Sequence, residues 1–116
     1  MNNLRYEKIN NSNTTILIDL HNTYSVMALS GYDMTKEVYN TTLLLKENRS
    51  DFLLIIETNE PFLIKATSRT IALEVLNLVA KLHSEGFFNK YIGEYEYYLK
   101  CFDLGNSQIE SENLNA

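Results

Sequence analysis

Thr67-Ser68-Arg69-Thr70-Ile71-Ala72-Leu73-Glu74-Val75-Leu76-Asn77-Leu78-Val79-Ala80-Lys81-Leu82-His83-Ser84-Glu85-Gly86 is the stretch that decides the fold. At about 100° per residue, Thr70, Glu74, Asn77, Lys81 and Ser84 gather on a narrow polar stripe, and the apolar residues fill a remaining arc of roughly 220°. That is an amphipathic helix with more apolar surface than one flat core contact requires. Thr67 or Ser68 supplies an oxygen for the first free amides, and Gly86 supplies the left-handed residue that ends a helix. The pattern predicts a helix over 67–86 with cover on most of its sides.

Upstream, the period changes from helical to two. Residues 14–20 alternate, with Ile16 and Ile18 on one face against Leu17 and Asp19 on the other. Further β-like runs follow at 24–30, 38–46, 52–58 and 62–65, separated by short polar turns. Pro61, the one proline, sits where a strand start tolerates a missing donor. Connections this short join antiparallel neighbours, because parallel strands need longer crossovers. Beyond the helix, Glu94-Tyr95-Glu96-Tyr97-Tyr98-Leu99-Lys100-Cys101-Phe102 alternates again and reads as a last strand over 94–103. The expected fold class is therefore α+β, a curved antiparallel meander of five to six strands around one long helix, in the order β-β-β-β-β-α-β.

Leu43-Leu44-Leu45 and Phe52-Leu53-Leu54-Ile55-Ile56 are apolar on both faces of their strands, whereas a sheet with one wet face alternates. One helix covers one face. Either the sheet curls around the helix, or a second copy or another partner covers its outside. Curling also accounts for the broad arc, so it is preferred, with a homodimer through Leu43, Leu45, Leu53 and Ile55 as an addition.

The length of 116 residues suits a single domain, placed at 13–104 between a flexible N-terminus at 1–12 and a flexible acidic tail at 105–116. The net charge is −5, which argues against binding nucleic acid through phosphate neutralisation. From residue 94 onward Glu94, Glu96, Asp103, Glu110 and Glu112 face a single cation, Lys100, so the acidity belongs to the C-terminal end. No stretch approaches the roughly 20 apolar residues of a membrane span, and the start lacks a signal-peptide pattern. With one cysteine, a cytoplasmic setting fits best.

Chemistry-bearing motifs are missing. His21 and His83 lack metal-ligand spacing, the glycines are isolated, and Cys101 reads as a buried inert thiol. No cofactor, metal or catalytic residue is assigned, and the chain is read as a binding protein rather than an enzyme. In the 94–103 strand, alternation puts Tyr95, Tyr97, Leu99 and Cys101 toward the core. Glu94, Glu96, Tyr98, Lys100 and Phe102 fall on the other face, where tyrosine and phenylalanine among carboxylates suit a protein interface. These five residues are the expected partner-binding set. The corresponding function is a small acidic module that inhibits or regulates a more basic protein, such as a nuclease. Bacterial immunity proteins and phage-encoded inhibitors share these gross properties. The alternatives are a homodimeric structural domain and a small-ligand site between sheet and helix.

Overall fold

A computed structural model describes the backbone of residues 4–8, 13–20 and 23–114 and the side chains of 13–20 and 23–102. It is an α+β fold in which six antiparallel strands precede two helices. The strands are β1 (Leu4–Lys8), β2 (Asn13–Asp19), β3 (Tyr24–Asp33), β4 (Val38–Glu47), β5 (Leu54–Ile55) and β6 (Phe62–Ile64). They form an open sheet in the order β1-β2-β3-β4-β5, with β6 also on β4. The helices are α1 (Ile71–Ser84) and α2 (Asn89–Leu114).

The long central hairpin sets the register. Asp33 Oδ1 accepts from the amides of Thr35 at 2.9 Å and Lys36 at 3.3 Å, so the aspartate shapes the turn between β3 and β4. Glu37 completes it at φ 55. Pairing Val26 with Leu45 and Ala28 with Leu43 then puts the even residues of β3 and the odd residues of β4 on one face. Ile16 and Ile18 join that face from β2, and all six are fully buried. Near the end of the hairpin, Ser30 Oγ and Thr41 Oγ1 satisfy each other at 2.7 Å inside the same layer.

β5 and β6 are two pieces of one interrupted edge. Leu54 and Ile55 pair with Leu45 and Leu44, and Phe62, Leu63 and Ile64 pair with Thr41, Asn40 and Tyr39, further along the same side of β4. The Asn59-Glu60-Pro61 stretch therefore carries the chain off the edge and back onto it instead of reversing it. A proline with no amide hydrogen costs nothing there, because no ladder bond passes through it.

α1 lies on the inner face with Ile71, Val75 and Val79, four residues apart, fully buried. The broad apolar arc is only partly used, since Leu73 is 57% exposed. The sheet is open, and a second helix, where one long helix was expected, shares the cover of its inner face. At the N-terminus the Thr67 carbonyl accepts from the Thr70 and Ile71 amides at 3.1 and 3.0 Å. It takes the place of the side-chain cap expected from Thr67 or Ser68. At the other end Phe87 N donates to Leu82 O and Gly86 N to His83 O, at 3.0 and 3.1 Å, with Gly86 at φ 76. These are the two bonds of a Schellman cap, which needs a left-handed residue at that place.

One expectation is corrected, and two stretches expected to be flexible carry regular backbone structure. The last strand over 94–103 is helix: Phe88, Ile92, Tyr95 and Leu99 recur at helical spacing and face the core, with Phe88 and Tyr95 fully buried. The order therefore ends α-α, not α-β. Leu4–Lys8, within the stretch read as a flexible N-terminus, pairs with β2 from Leu4↔Ile18 to Lys8↔Thr14. The backbone of 105–114, read as a flexible tail, continues α2. Residues 1–3, 9–12, 115 and 116 lie outside the described residues, and so does His21.

Candidate functional site on the second helix

Turning 94–103 from strand to helix redistributes the five residues expected to bind a partner. At about 100° per residue, Glu94, Tyr98 and Phe102 fall on one side of α2, one turn apart, and Glu96 and Lys100 lie roughly opposite. The set assumed to share a face is thus split in two. Of the residues assigned to the core, Tyr95 is buried and Leu99 packs against the core cluster, whereas Tyr97 and Cys101 are exposed. The Cys101 thiol is therefore a surface group. Its hydrogen bond with Tyr97, one turn earlier, holds that phenol above its usual value.

Tyr95 fixes α2 to the sheet. Its hydroxyl donates to the Phe52 carbonyl at 2.6 Å, and its ring meets Tyr24 edge-on at 5.6 Å and Phe52 at 5.1 Å. Phe52 is held by a short sequence of turns after β4. Ser50 N donates to Glu47 O at 3.0 Å, Arg49 N to Glu47 Oε2 at 3.1 Å, and Phe52 N to Ser50 Oγ at 3.0 Å. Tyr91 adds a second tie, its hydroxyl donating to the Glu57 carbonyl at 3.4 Å.

Between α2 and the 47–57 segment these ties leave two open clefts that share Tyr98 as a wall. One, of about 570 Å³, is lined by Glu47, Arg49, Ser50, Asp51, Phe52, Tyr98, Leu99 and Phe102. The other, of about 370 Å³, is lined by Leu54, Ile55, Glu57, Lys90, Tyr91, Glu94 and Tyr98. Four carboxylates border them against the two cations Arg49 and Lys90. Tyr98 and Phe102 stand 49% and 65% exposed on the ridge. Phe52, which reads from sequence as an ordinary strand residue, joins this surface with its ring 6.5 Å from that of Tyr98. No local pattern flags it, because its role depends on a helix 43 residues later.

Glu96 has a different neighbour. Its Oε1 accepts from the Tyr24 hydroxyl at 3.3 Å across the sheet–helix junction. Burial, and then this carboxylate, push the Tyr24 phenol up to about 12. The folded chain therefore keeps the proton that the unfolded chain releases near pH 10. Stability from this group is intact below about pH 10 and is lost as the pH rises toward about 12. Urea midpoints measured across that window should fall less steeply for Tyr24→Phe than for the parent; parallel curves would refute the coupling.

His83 is half-buried at the end of α1, its ring 6.4 Å from that of Phe88. Among the described residues no group of three or more His, Cys, Asp or Glu side chains is gathered as a metal site would require. Nor is any helix among them long and apolar enough to cross a membrane. No protein family matches this chain, and neither does any curated protein or solved structure.

Proposed function

We propose that this chain is a protein-binding module that docks on a more basic partner and inhibits or regulates it, using the Glu94–Tyr98–Phe102 ridge of α2. The observation that carries this reading is the pairing of two exposed aromatic rings with flanking clefts bordered mainly by carboxylates. Aromatic anchors supply most of the affinity at interfaces, and a surrounding field of one sign selects partners of the other and speeds encounter. Tyr95 and Phe52 beneath the ridge keep it rigid, so little ordering cost falls on binding. Glu96 and Lys100 stay outside the docking face, Glu96 serving the sheet–helix junction instead.

The test is a quantitative comparison of proteins retained from source-cell extract by immobilised full-length chain and by the Glu94→Lys, Tyr98→Ser, Phe102→Ser triple variant. A set of basic proteins should bind the parent at low salt, elute as salt rises, and lose at least about tenfold in retention with the variant. Equal retention by parent and variant would sink the proposal. Tyr98 and Phe102 are exposed, so the variant keeps its fold, which circular dichroism checks.

A further inference from the structure

The helices pack on one face of the sheet; on the other, Leu29 and Ile55 are exposed, Leu17 and Met27 are half-buried, and Leu44 and Ser25 keep only 9% and 2% of their surface. The residues of this outer face are the odd positions of β2 and β3 and the even positions of β4, and none of them belongs to the core cluster. One cross-strand row is apolar from β2 to β5, with Leu17 opposite Met27, Met27 opposite Leu44 and Leu44 opposite Ile55, and on its β1 side it ends in Arg5 opposite Leu17. The row beside it is polar and ends in opposite charges, Asp19 opposite Ser25 and Ser25 opposite Lys46. Leu29 lies between Thr15 and Thr42 in the row on the other side. Of the four residues that sequence alone suggested for an outer contact, Leu43 and Leu45 point the other way and are fully buried, whereas Leu53 and Ile55 are exposed; Leu44, 9% exposed, stands in the row instead.

This arrangement matches its own image. A two-fold axis laid in the outer face, parallel to β3, exchanges the β2 side of one copy with the β4 side of the other and keeps each row opposite itself. Asp19 then faces Lys46 of the second copy, and Lys46 faces the second Asp19. Leu17 meets Leu44, and Met27 meets Met27 on the axis. An axis perpendicular to the strands would set the charges against threonines. Asp19 is held in place for such a contact, since Ser25 Oγ donates to its Oδ1 at 2.8 Å and also lies 2.7 Å from the Asn48 side-chain amide.

We infer that the outer sheet face binds a second copy of this chain in a two-fold, face-to-face sandwich, with the Asp19–Lys46 exchange fixing its orientation. The inference rests on observations other than the α2 ridge, although Ile55, at the end of the apolar row, also lines the smaller cleft beside that ridge. Packed sheets tolerate the offset of about 30° that their twist imposes, and at this distance from the axis a lysine side chain spans it. Strand spacing of about 4.8 Å and a rise of about 3.4 Å per residue give a footprint near 450 Å² per copy. That falls below the limit of about 500 Å² per partner for a stable interface, so the dimer is weak, reversible and concentration-dependent.

Sedimentation velocity on the full chain from about 1 to 500 μM tests this, with dimer expected to dominate at the upper end. Lys46→Asp places carboxylates against Asp19 and should shift the midpoint at least about tenfold toward monomer, and adding Asp19→Lys should restore it. Met27→Cys in a Cys101→Ser background should cross-link with a short bis-maleimide, whereas Glu37→Cys in the hairpin turn should not. A parent that stays monomeric throughout overturns the inference. So does a dimer indifferent to Lys46→Asp, as pairing through β1 would be, or one that the double exchange fails to restore. Thermal melts verify that each variant is folded.

Discussion

Val75→Asp should leave the chain unfolded, with no cooperative urea transition by circular dichroism. Val75 is the middle residue of the fully buried α1 stripe and packs among Ile71, Val79 and the inner face of the sheet. Replacing it forfeits about 1.5–3 kcal/mol of apolar burial. It also puts an unpaired carboxylate where desolvation costs several kcal/mol more, or where the group must take up a proton to remain. A domain of this size is stable by about 5–15 kcal/mol in total, so the sum is comparable with the whole. Leu76, the next residue, is half-buried and can turn a carboxylate toward water. A Val75→Asp protein with a near-parental midpoint would mean that α1 does not close the core.

Tyr95→Ala should cost about 3–5 kcal/mol, the range for removing a large aromatic from a packed interior. The ring contacts of Tyr24 and Phe52 and the hydroxyl's bond to the Phe52 carbonyl all disappear together. Tyr95→Phe separates these contributions. It keeps the packing and loses one hydrogen bond, so a loss of about 1–2 kcal/mol is expected from urea midpoints. Equal losses for the two variants would assign the anchoring to the hydroxyl alone; a loss below about 0.5 kcal/mol for Tyr95→Ala would show that α2 is not held by this residue. The alanine variant should also loosen the ridge above it, so any partner affinity should fall with it.

The contrast between these two helices shows what the sequence could disclose. α1 carries its own evidence: a polar stripe, a clean apolar arc and a glycine that stops it. In β2 to β4 the alternation of Ile16, Ile18, Val26, Ala28, Leu43 and Leu45 is local and unambiguous, and the core is legible from it. α2 carries conflicting signals. Tyrosine and phenylalanine favour strands, and over 94–102 the carboxylates and aromatics alternate by chance, while the helical spacing emerges only when Phe88 and Ile92 are included. Tyr95 reaches the core under either period, so its burial is legible in the sequence although its element is not. β1 has too few apolar residues to declare itself; its strand conformation follows from pairing with β2. The candidate site inherited these limits. Glu94, Tyr98 and Phe102 share a side under either period, Glu96 and Lys100 join them only in a strand, and Phe52 comes beside Tyr98 only through tertiary contact.

The interrupted edge formed by β5 and β6 bears on how the protein behaves when crowded. Runaway strand addition requires two receptive edges on each molecule, one to accept a neighbour and one to offer the next. On the β4 side the ladder is broken into pieces of two and three residues by a loop containing Pro61, too short and discontinuous to template an incoming strand. That leaves β1, five residues long, as the continuous margin on the far side among the described residues. A molecule with one such margin can join another margin-to-margin and then has nothing left to extend. Association through strand edges therefore terminates at a pair, and fibre growth is denied its second end.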